Sequence, residues 1–154
     1  MGALRTHAVV AETGESPYSV RIELGGHVLT GDESVEAGGG GLGPAPFDLL
    51  AAALAECTAM TVRWYARQQG WPVDRIEVAV TYSRRQFAGA PAPVDLFEKT
   101  ISIYGANLTD EHRTSLLNVA ARCPVQRTLE SVPTITTLVG SQADEAPLSL
   151  LRPL

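Results

Sequence analysis

Two cysteines, Cys57 and Cys123, are the residues of this chain best suited to nucleophilic or redox chemistry. Their separation matches neither a Cys-x-x-Cys redox pair nor the ligand spacing of a structural zinc site. A thiolate is a nucleophile, whereas a cysteine in a core is a small apolar residue, and free cysteine is among the most buried residue types. The sequence around each cysteine is needed to distinguish these two interpretations.

Cys57 falls near the middle of the longest predicted helix. The stretch 44–70, PAPFDLLAAALAECTAMTVRWYARQQG, predicts about 24 helical residues and a length of roughly 36 Å. Two prolines suit its first turn, Asp48 complements the positive helix end, and Gly70 suits a left-handed stop. Apolar residues occur almost all round this helix, which is the pattern of a buried helix.

Short strands precede this helix. The run 7–11 is apolar, residues 18–24 alternate between apolar and polar, and 27–30 follow a Gly-Gly pair typical of a two-residue hairpin turn. The glycine-rich stretch 37–43 predicts a loop in which the backbone passes close to a substrate mouth or a partner subunit.

A second group of elements follows the helix. Strands are predicted at 76–82 and 97–104 on either side of a loop at 87–93, and a last strand at 132–139. A helix capped by Thr109 or Asp110 is predicted to run to about Arg122, and a short helix begins at Pro124, directly after Cys123. The first of these helices is expected to bury Leu116, Leu117, Val119 and Ala120.

This order of elements predicts an α+β fold with largely antiparallel sheets. The 154 residues are expected to form one domain, 1–154, with a tail over 140–154 that is exposed or lies on a neighbour. One small sheet covers a long helix poorly when that helix is apolar all round. We therefore predict a twofold homodimer in which a second copy covers the other face.

The net charge and the apolar segments indicate which partners and which cellular location to expect. The net charge of −5 argues against a general nucleic-acid or anionic-membrane partner. The most apolar run carries Asp48, Glu56 and Arg63, and the first residues lack the core of a signal peptide, so we expect no membrane span and a cytoplasmic protein. Stable disulfides are rare there, and a pairing of the two cysteines would therefore be transient redox chemistry.

Other chemistries have little support in the sequence. The three histidines, His7, His27 and His112, show no metal-ligand spacing, so no metal site is expected. The glycines of the loop fit Gly-x-Gly-x-x-Gly only formally, because the acidic residue that a dinucleotide site needs would fall inside the long helix. No Gly-x-Ser-x-Gly motif of a serine hydrolase occurs.

Three features together resemble one family. They are the helix GPAPFDLLAAALAECTAMTVRWYA, the Cys-Pro helix opening ARCPVQRTLE, and the order of elements around them. Over roughly residues 5–139 the chain resembles the osmotically inducible protein C and organic hydroperoxide resistance (OsmC/Ohr) family. The resemblance implies an intertwined homodimer, with antiparallel sheets from both chains wrapped around the long central helices.

The resemblance also implies a function and two catalytic residues. It implies an antioxidant, cysteine-based peroxidase that acts in the oxidative stress response without haem, flavin or metal. By position, Cys57 would be the peroxidatic residue, oxidised by an organic hydroperoxide to a sulfenic acid, and Cys123 the resolving residue. An external dithiol would then reduce the resulting disulfide.

The chain departs from the organic hydroperoxide resistance branch at two activating positions. Phe47 stands where that branch has a catalytic glutamate, and the usual hairpin arginine position falls near Ser16. The chain therefore looks like the OsmC-like branch, and the cation that holds a Cys57 thiolate stays open. The candidates are Arg21, Arg122 and Arg127, each of which could equally be an ordinary surface charge.

Glu56, directly before Cys57, is unusual on a buried helix, because a buried carboxylate needs a partner, such as an arginine across the dimer.

The missing glutamate and arginine favour a second hypothesis. In it, the chain is a non-enzymatic stress protein that binds a small apolar ligand at the dimer interface.

Overall fold

A computed structural model describes residues 6–140 of the chain. Within that range it contains five strands, β1 Ala8–Glu12, β2 Val20–Leu24, β3 His27–Gly31, β4 Arg75–Arg85 and β5 Val94–Tyr104. It also contains a short 3₁₀ turn, Val35–Ala37, and three α-helices, α1 Pro46–Gln69, α2 Asp110–Ala120 and α3 Pro124–Glu130. Across these residues, no helix is both long and apolar enough to cross a membrane.

The first three strands form an antiparallel sheet in the order β1-β2-β3, with Val10 opposite Ile22 and Ile22 opposite Leu29. Gly25 and Gly26 form the turn between β2 and β3 with φ angles of 55° and 81°, a backbone that residues with a Cβ rarely adopt. The predicted meander and its hairpin turn are therefore confirmed.

Strands β4 and β5 form a separate antiparallel hairpin that packs on α1. The core between the hairpin and helices α1 and α2 consists of small and medium apolar side chains, namely Val62, Ala66, Val73, Ile103, Leu108, Leu116 and Ala120. Helix α1 ends as predicted, because Gly70 takes a left-handed conformation (φ 66°). The predicted α+β class with antiparallel sheets is thus confirmed.

The glycine-rich loop approaches the protein's own backbone. A Cβ on Gly39 would stand 2.1 Å from the carbonyl oxygen of Glu33, and one on Gly43 would stand 2.1 Å from that of Thr30. The buried carboxylate of Asp32 accepts hydrogen bonds from the backbone N–H groups of Gly40 (2.9 Å) and Leu42 (3.2 Å). These close approaches explain why glycine occupies the loop.

Two predictions about burial and pairing are wrong for the protomer. Residues 132–139 form no strand in the described chain, and Val132 is 98% exposed. Leu117 is also exposed, whereas Leu116 and Ala120 are buried as expected. Helix α1 keeps one face exposed in the protomer, with Met60 and Trp64 64% and 62% exposed, and this is the face that the predicted second copy would cover. The predicted tail lies outside the described residues, apart from Gly140.

Asp32 gives a prediction about acid stability. Burial alone would raise the pKa of its carboxyl, but hydrogen bonds from Ser16, Leu42, Glu33 and Gly40 outweigh burial and lower the pKa below its ordinary value of 3.8. A lowered folded-state pKa stabilises the fold fully above the unfolded value and loses this effect as pH falls through the folded value.

We therefore expect Asp32→Asn to be less stable than the wild type at pH 7, with the difference shrinking as pH falls below about 4. Urea unfolding at several pH values measures this difference. Glu15→Gln, which neutralises an exposed carboxylate in the neighbouring turn, serves as the control. A difference between Asp32→Asn and wild type that stays constant from pH 7 to pH 2.5 would contradict the prediction.

Candidate functional site

Cys57 lies on α1 at the border between a buried and an exposed face. The buried stripe recurs every four residues and comprises Leu54, Thr58, Val62 and Ala66. The Cys57 side chain is half-buried, and it points about 100° around the helix from Thr58. It lies on the side of the stripe that leads to the exposed Met60 and Trp64.

Cys123 is fully buried, with 0% exposure, directly before α3. Its sulfur lies 3.4 Å from the Thr58 Oγ1 and accepts a hydrogen bond of 3.4 Å from the backbone N–H of Gln126. The Cys123 sulfur, at the start of α3, therefore lies against Thr58, the residue that follows Cys57. Both cysteines are free thiols in this structure.

Lys99 hydrogen-bonds both residues that contact the Cys123 sulfur. Its Nζ donates to Thr58 Oγ1 (3.2 Å), to the Ala120 carbonyl oxygen (2.9 Å) and to Gln126 Oε1 (2.7 Å). Two of these three partners, Thr58 and Gln126, also contact the Cys123 sulfur. A single ammonium thus ties β5 to α1, to the end of α2 and to α3.

A cavity of about 510 Å³ opens beside this network. Its walls are mostly apolar or aromatic, and its polar groups are Lys99, Gln126 and two carboxylates; the lining residues are Phe47, Leu50, Leu54, Tyr82, Asp95, Phe97, Lys99, Gln126, Leu129 and Glu130. Neither cysteine is among these residues. The cavity therefore reaches Lys99 and Gln126, the second of which hydrogen-bonds Cys123, but neither sulfur.

One wall of the cavity is an aromatic stack. The rings of Phe47 and Tyr82 are nearly parallel (5°), with centroids 4.3 Å apart. The Tyr82 hydroxyl donates a hydrogen bond to Asp95 Oδ1 (2.8 Å), and this bond, together with burial, raises the pKa of the Tyr82 phenol. Phe47, at the position of the missing glutamate, thus contributes an apolar surface.

The arginine candidates make no hydrogen bond to either cysteine in the described protomer. Arg21 pairs with Glu23 on its own strand (Nε to Oε1, 2.9 Å), and the side chains of Arg122 and Arg127 are exposed. Over residues 6–140, no arginine hydrogen-bonds either sulfur. Ser16, at the usual arginine position, donates instead to the carboxylate of Asp32 (2.8 Å).

Glu56 is exposed on the protomer and stands one turn from Met60 on the exposed face of α1. Its expected partner, an arginine across the dimer, stays a prediction. Over the described chain, no group of three or more histidine, cysteine, aspartate or glutamate side chains is close enough together to hold a metal ion.

Sequence reasoning missed Lys99, although a signal was present. Lys99 is the only lysine in the sequence, and it shares the inward-facing alternation of its strand with Phe97, Ile101 and Ile103. A lysine at an inward strand position is unusual, because Lys is almost never buried without a partner. That alternation identifies an inward-facing cation but not its acceptors.

The family model described as OsmC-like protein matches residues 38–138 of the chain. No curated protein matches it. Solved structures do match, including an OsmC-like protein from Mycoplasma pneumoniae at 19% identity and a TM-score of 0.69, with 85% of this chain and 91% of that chain covered.

Two further solved structures are described as organic hydroperoxide resistance proteins. The one from Legionella pneumophila has 19% identity and a TM-score of 0.59, covering 84% of this chain and 91% of that one. The one from Elizabethkingia anophelis has 14% identity and a TM-score of 0.64, covering 82% and 89%. At these identities the likeness to solved structures concerns the fold.

The Lys99 network gives a stability prediction. Lys99→Met keeps the aliphatic stem but leaves the Ala120 carbonyl and Gln126 Oε1 without their donor, so we expect the free energy of unfolding to fall by about 2–4 kcal/mol. Arg85→Met is the control, because it removes an exposed ion pair with Glu98 (2.9 Å) and should cost less than about 1 kcal/mol. Urea unfolding of both variants at one protein concentration measures the costs, and equal costs would contradict the prediction.

Proposed function

The chain belongs to the OsmC-like protein family, and from this premise we propose that it is a thiol-dependent peroxidase that reduces organic hydroperoxides to alcohols. The observation that carries the proposal is the position of Cys123, whose sulfur contacts Thr58, the residue next to Cys57. Cys123 thus packs against α1 beside the position of Cys57, and closeness of the two thiols is what disulfide formation after sulfenic acid formation requires.

The proposed cycle has three steps. The Cys57 thiolate attacks the terminal peroxide oxygen, the O–O bond breaks, and the alkoxide takes a proton and leaves as the alcohol. The resulting Cys57 sulfenic acid condenses with Cys123, forming the S–S bond and releasing water. An external dithiol then reduces the disulfide by exchange and is itself oxidised.

The cavity supports a bulky organic substrate over hydrogen peroxide. Its walls include Phe47, Leu50, Phe97 and Leu129, which suit an apolar group rather than a fully hydrated small molecule. We propose that the organic part of the hydroperoxide occupies this cavity and that its peroxide group extends past Leu54, which lines the cavity, toward Cys57 on the next turn of α1. The protein would act in the cytoplasm, where thiols are kept reduced.

We further propose that the working unit is a twofold homodimer. Two apolar surfaces are left open on the protomer: Met60 and Trp64 on α1, and the segment 132–139. The exposed apolar side chains of that segment are Val132, Ile135, Leu138 and Val139. Contiguous exposed apolar surface of this kind is typical of an interface, and a partner sheet would supply the strand edge that the segment lacks. Cys57 borders the first of these surfaces.

A second candidate function is favoured by the aromatic stack. Phe47 against Tyr82 replaces a carboxylate with apolar surface at the cavity, which suits a non-enzymatic protein that binds a small apolar ligand. This candidate uses the same cavity but needs neither thiol. The two functions therefore differ in their dependence on Cys57.

The peroxidase proposal predicts distinct behaviour for the two cysteine variants. With cumene hydroperoxide and a dithiol, Cys57→Ser should lose dithiol oxidation completely, because the attacking sulfur is absent. Treated with cumene hydroperoxide in the absence of dithiol, Cys123→Ser should react once and form a sulfenic acid at Cys57 that excess peroxide oxidises to sulfinic acid, because the resolving sulfur is absent. Dithiol consumption and intact-protein mass measure both outcomes. A wild type no faster than Cys57→Ser, yet binding cumyl alcohol in calorimetry, would favour the second candidate function.

The dimer proposal predicts a particle of twice the 16.4 kDa chain mass in sedimentation experiments. Trp64→Glu should weaken association, because it buries a charge without a partner at the interface. Phe87→Glu, at an exposed aromatic position in the loop between β4 and β5, is the matched control and should leave the dimer intact. A monomeric wild type at micromolar concentration would refute the proposal.

A further inference from the structure

We propose that Lys99 is a positioning residue that stabilises negative charge on the Cys123 sulfur through the hydroxyl of Thr58. The proposal rests on the peroxidase cycle above and deepens it, since it assigns the cation of the resolving step to a lysine on β5. It concerns the sulfur of Cys123, whereas the three arginines of the sequence analysis were candidates for the cation beside Cys57.

The direction of the hydrogen bonds carries the proposal. An ammonium can only donate, so in the 3.2 Å contact Thr58 Oγ1 is the acceptor and keeps its own proton to give away. That proton has two acceptors within reach, the Leu54 carbonyl oxygen at 2.8 Å and the Cys123 sulfur at 3.4 Å. A hydroxyl turns toward the stronger acceptor, and a thiolate is a stronger acceptor than a thiol because it is charged.

The surroundings make this charge effective. Thr58 and Cys123 are both 0% exposed and Lys99 is half-buried on the cavity wall, so water screens their interaction less than it would at the surface. The other charged groups of the cavity and of the chain beside Cys123 are two carboxylates and two exposed guanidinium groups, those of Asp95, Glu130, Arg122 and Arg127. Asp95 accepts from Tyr82, and Glu130 accepts from the Gln126 side chain (2.7 Å), so neither hydrogen-bonds Lys99.

The proposed role of Lys99 concerns the resolving step and the reducing step of the cycle. In the resolving step the Cys123 thiolate attacks the Cys57 sulfur; the S–S bond forms, the S–O bond breaks, and hydroxide leaves and is protonated to water. In the reducing step the thiolate of the external dithiol attacks Cys57, and Cys123 departs as a thiolate. Both steps involve Cys123 as a thiolate, as the attacking group in the resolving step and as the leaving group in the reducing step. Peroxide reduction at Cys57 does not involve Cys123.

The direct test needs no peroxide. In a Cys57→Ser background the only thiol is Cys123, and thiolate absorbance at 240 nm between pH 5 and pH 9.5 reports its ionisation, with the Cys57→Ser/Cys123→Ser protein as blank. Adding Lys99→Met should move the midpoint of this curve upward by about one pH unit or more, because a nearby cation is lost. Lys99→Arg should restore most of the shift. Coincident curves for Lys99 and Lys99→Met would overturn the proposal.

A second pair of variants tests the route through Thr58 should Lys99→Met fail to fold. Thr58→Val removes the hydroxyl at nearly constant shape and should move the same midpoint upward, whereas Thr58→Ser keeps the hydroxyl and should not. A Thr58→Val curve that coincides with the Thr58→Ser curve would exclude the hydroxyl as the link.

Single-turnover kinetics test which step of the cycle depends on Lys99. After one equivalent of cumene hydroperoxide, Lys99→Met in the two-cysteine protein should form the Cys57 sulfenic acid at the wild-type rate but convert it to disulfide about tenfold more slowly at pH 7. An equal slowing of both steps would contradict a role at Cys123. A wild type that forms no sulfenic acid would refute the peroxidase proposal, while the absorbance titration would still decide the role of Lys99.

Discussion

A lysine ammonium that leaves water must replace its lost hydration with fixed acceptors, and Lys99 finds three of them on three helices. They are the hydroxyl of Thr58 on α1, the carbonyl oxygen of Ala120 at the end of α2, and the side-chain oxygen of Gln126 on α3. Because each helix supplies one acceptor, a single side chain of β5 links the hairpin to all three helices. The position of Cys123 follows, because Thr58 and Gln126 are also its hydrogen-bond partners.

Helix α1 has two different faces as a consequence of the same packing. The face with Thr58 and Val62 is buried inside the protomer, while the face with Met60 and Trp64 is left exposed. Cys57 lies at the border between them and is half-buried. The surroundings of this sulfur are therefore incomplete in one chain, and in the proposed dimer the second copy would set its access to solvent.

The sequence was informative wherever the deciding interaction is local. The limits of α1 follow from a proline at its start and a left-handed Gly70 at its end, and the start of α3 follows from the Cys123–Pro124 pair. The hairpin turn follows from two adjacent glycines. Each of these signals acts within a few residues, so one sequence is enough to find them.

Long-range partners could not be predicted in the same way. The acceptors of Lys99 lie 21 to 41 positions away in sequence, and strand alternation places the ammonium inward without identifying them. The segment 132–139 has the composition of a strand, yet a strand forms only where it pairs with another, and in the described protomer it pairs with none.

The difference in exposure between the two cysteines also determines which sulfur meets outside molecules in the proposed redox cycle. Cys123 is 0% exposed, so neither a hydroperoxide nor an external dithiol can reach its sulfur without opening the fold, whereas Cys57 is half-buried. Every reaction with an outside molecule then takes place at Cys57, and Cys123 reacts only with Cys57. In such a cycle the buried sulfur alternates between disulfide and thiolate. The donors already arranged around it, Thr58 and the Gln126 N–H, are suited to receive that charge each time the disulfide is reduced.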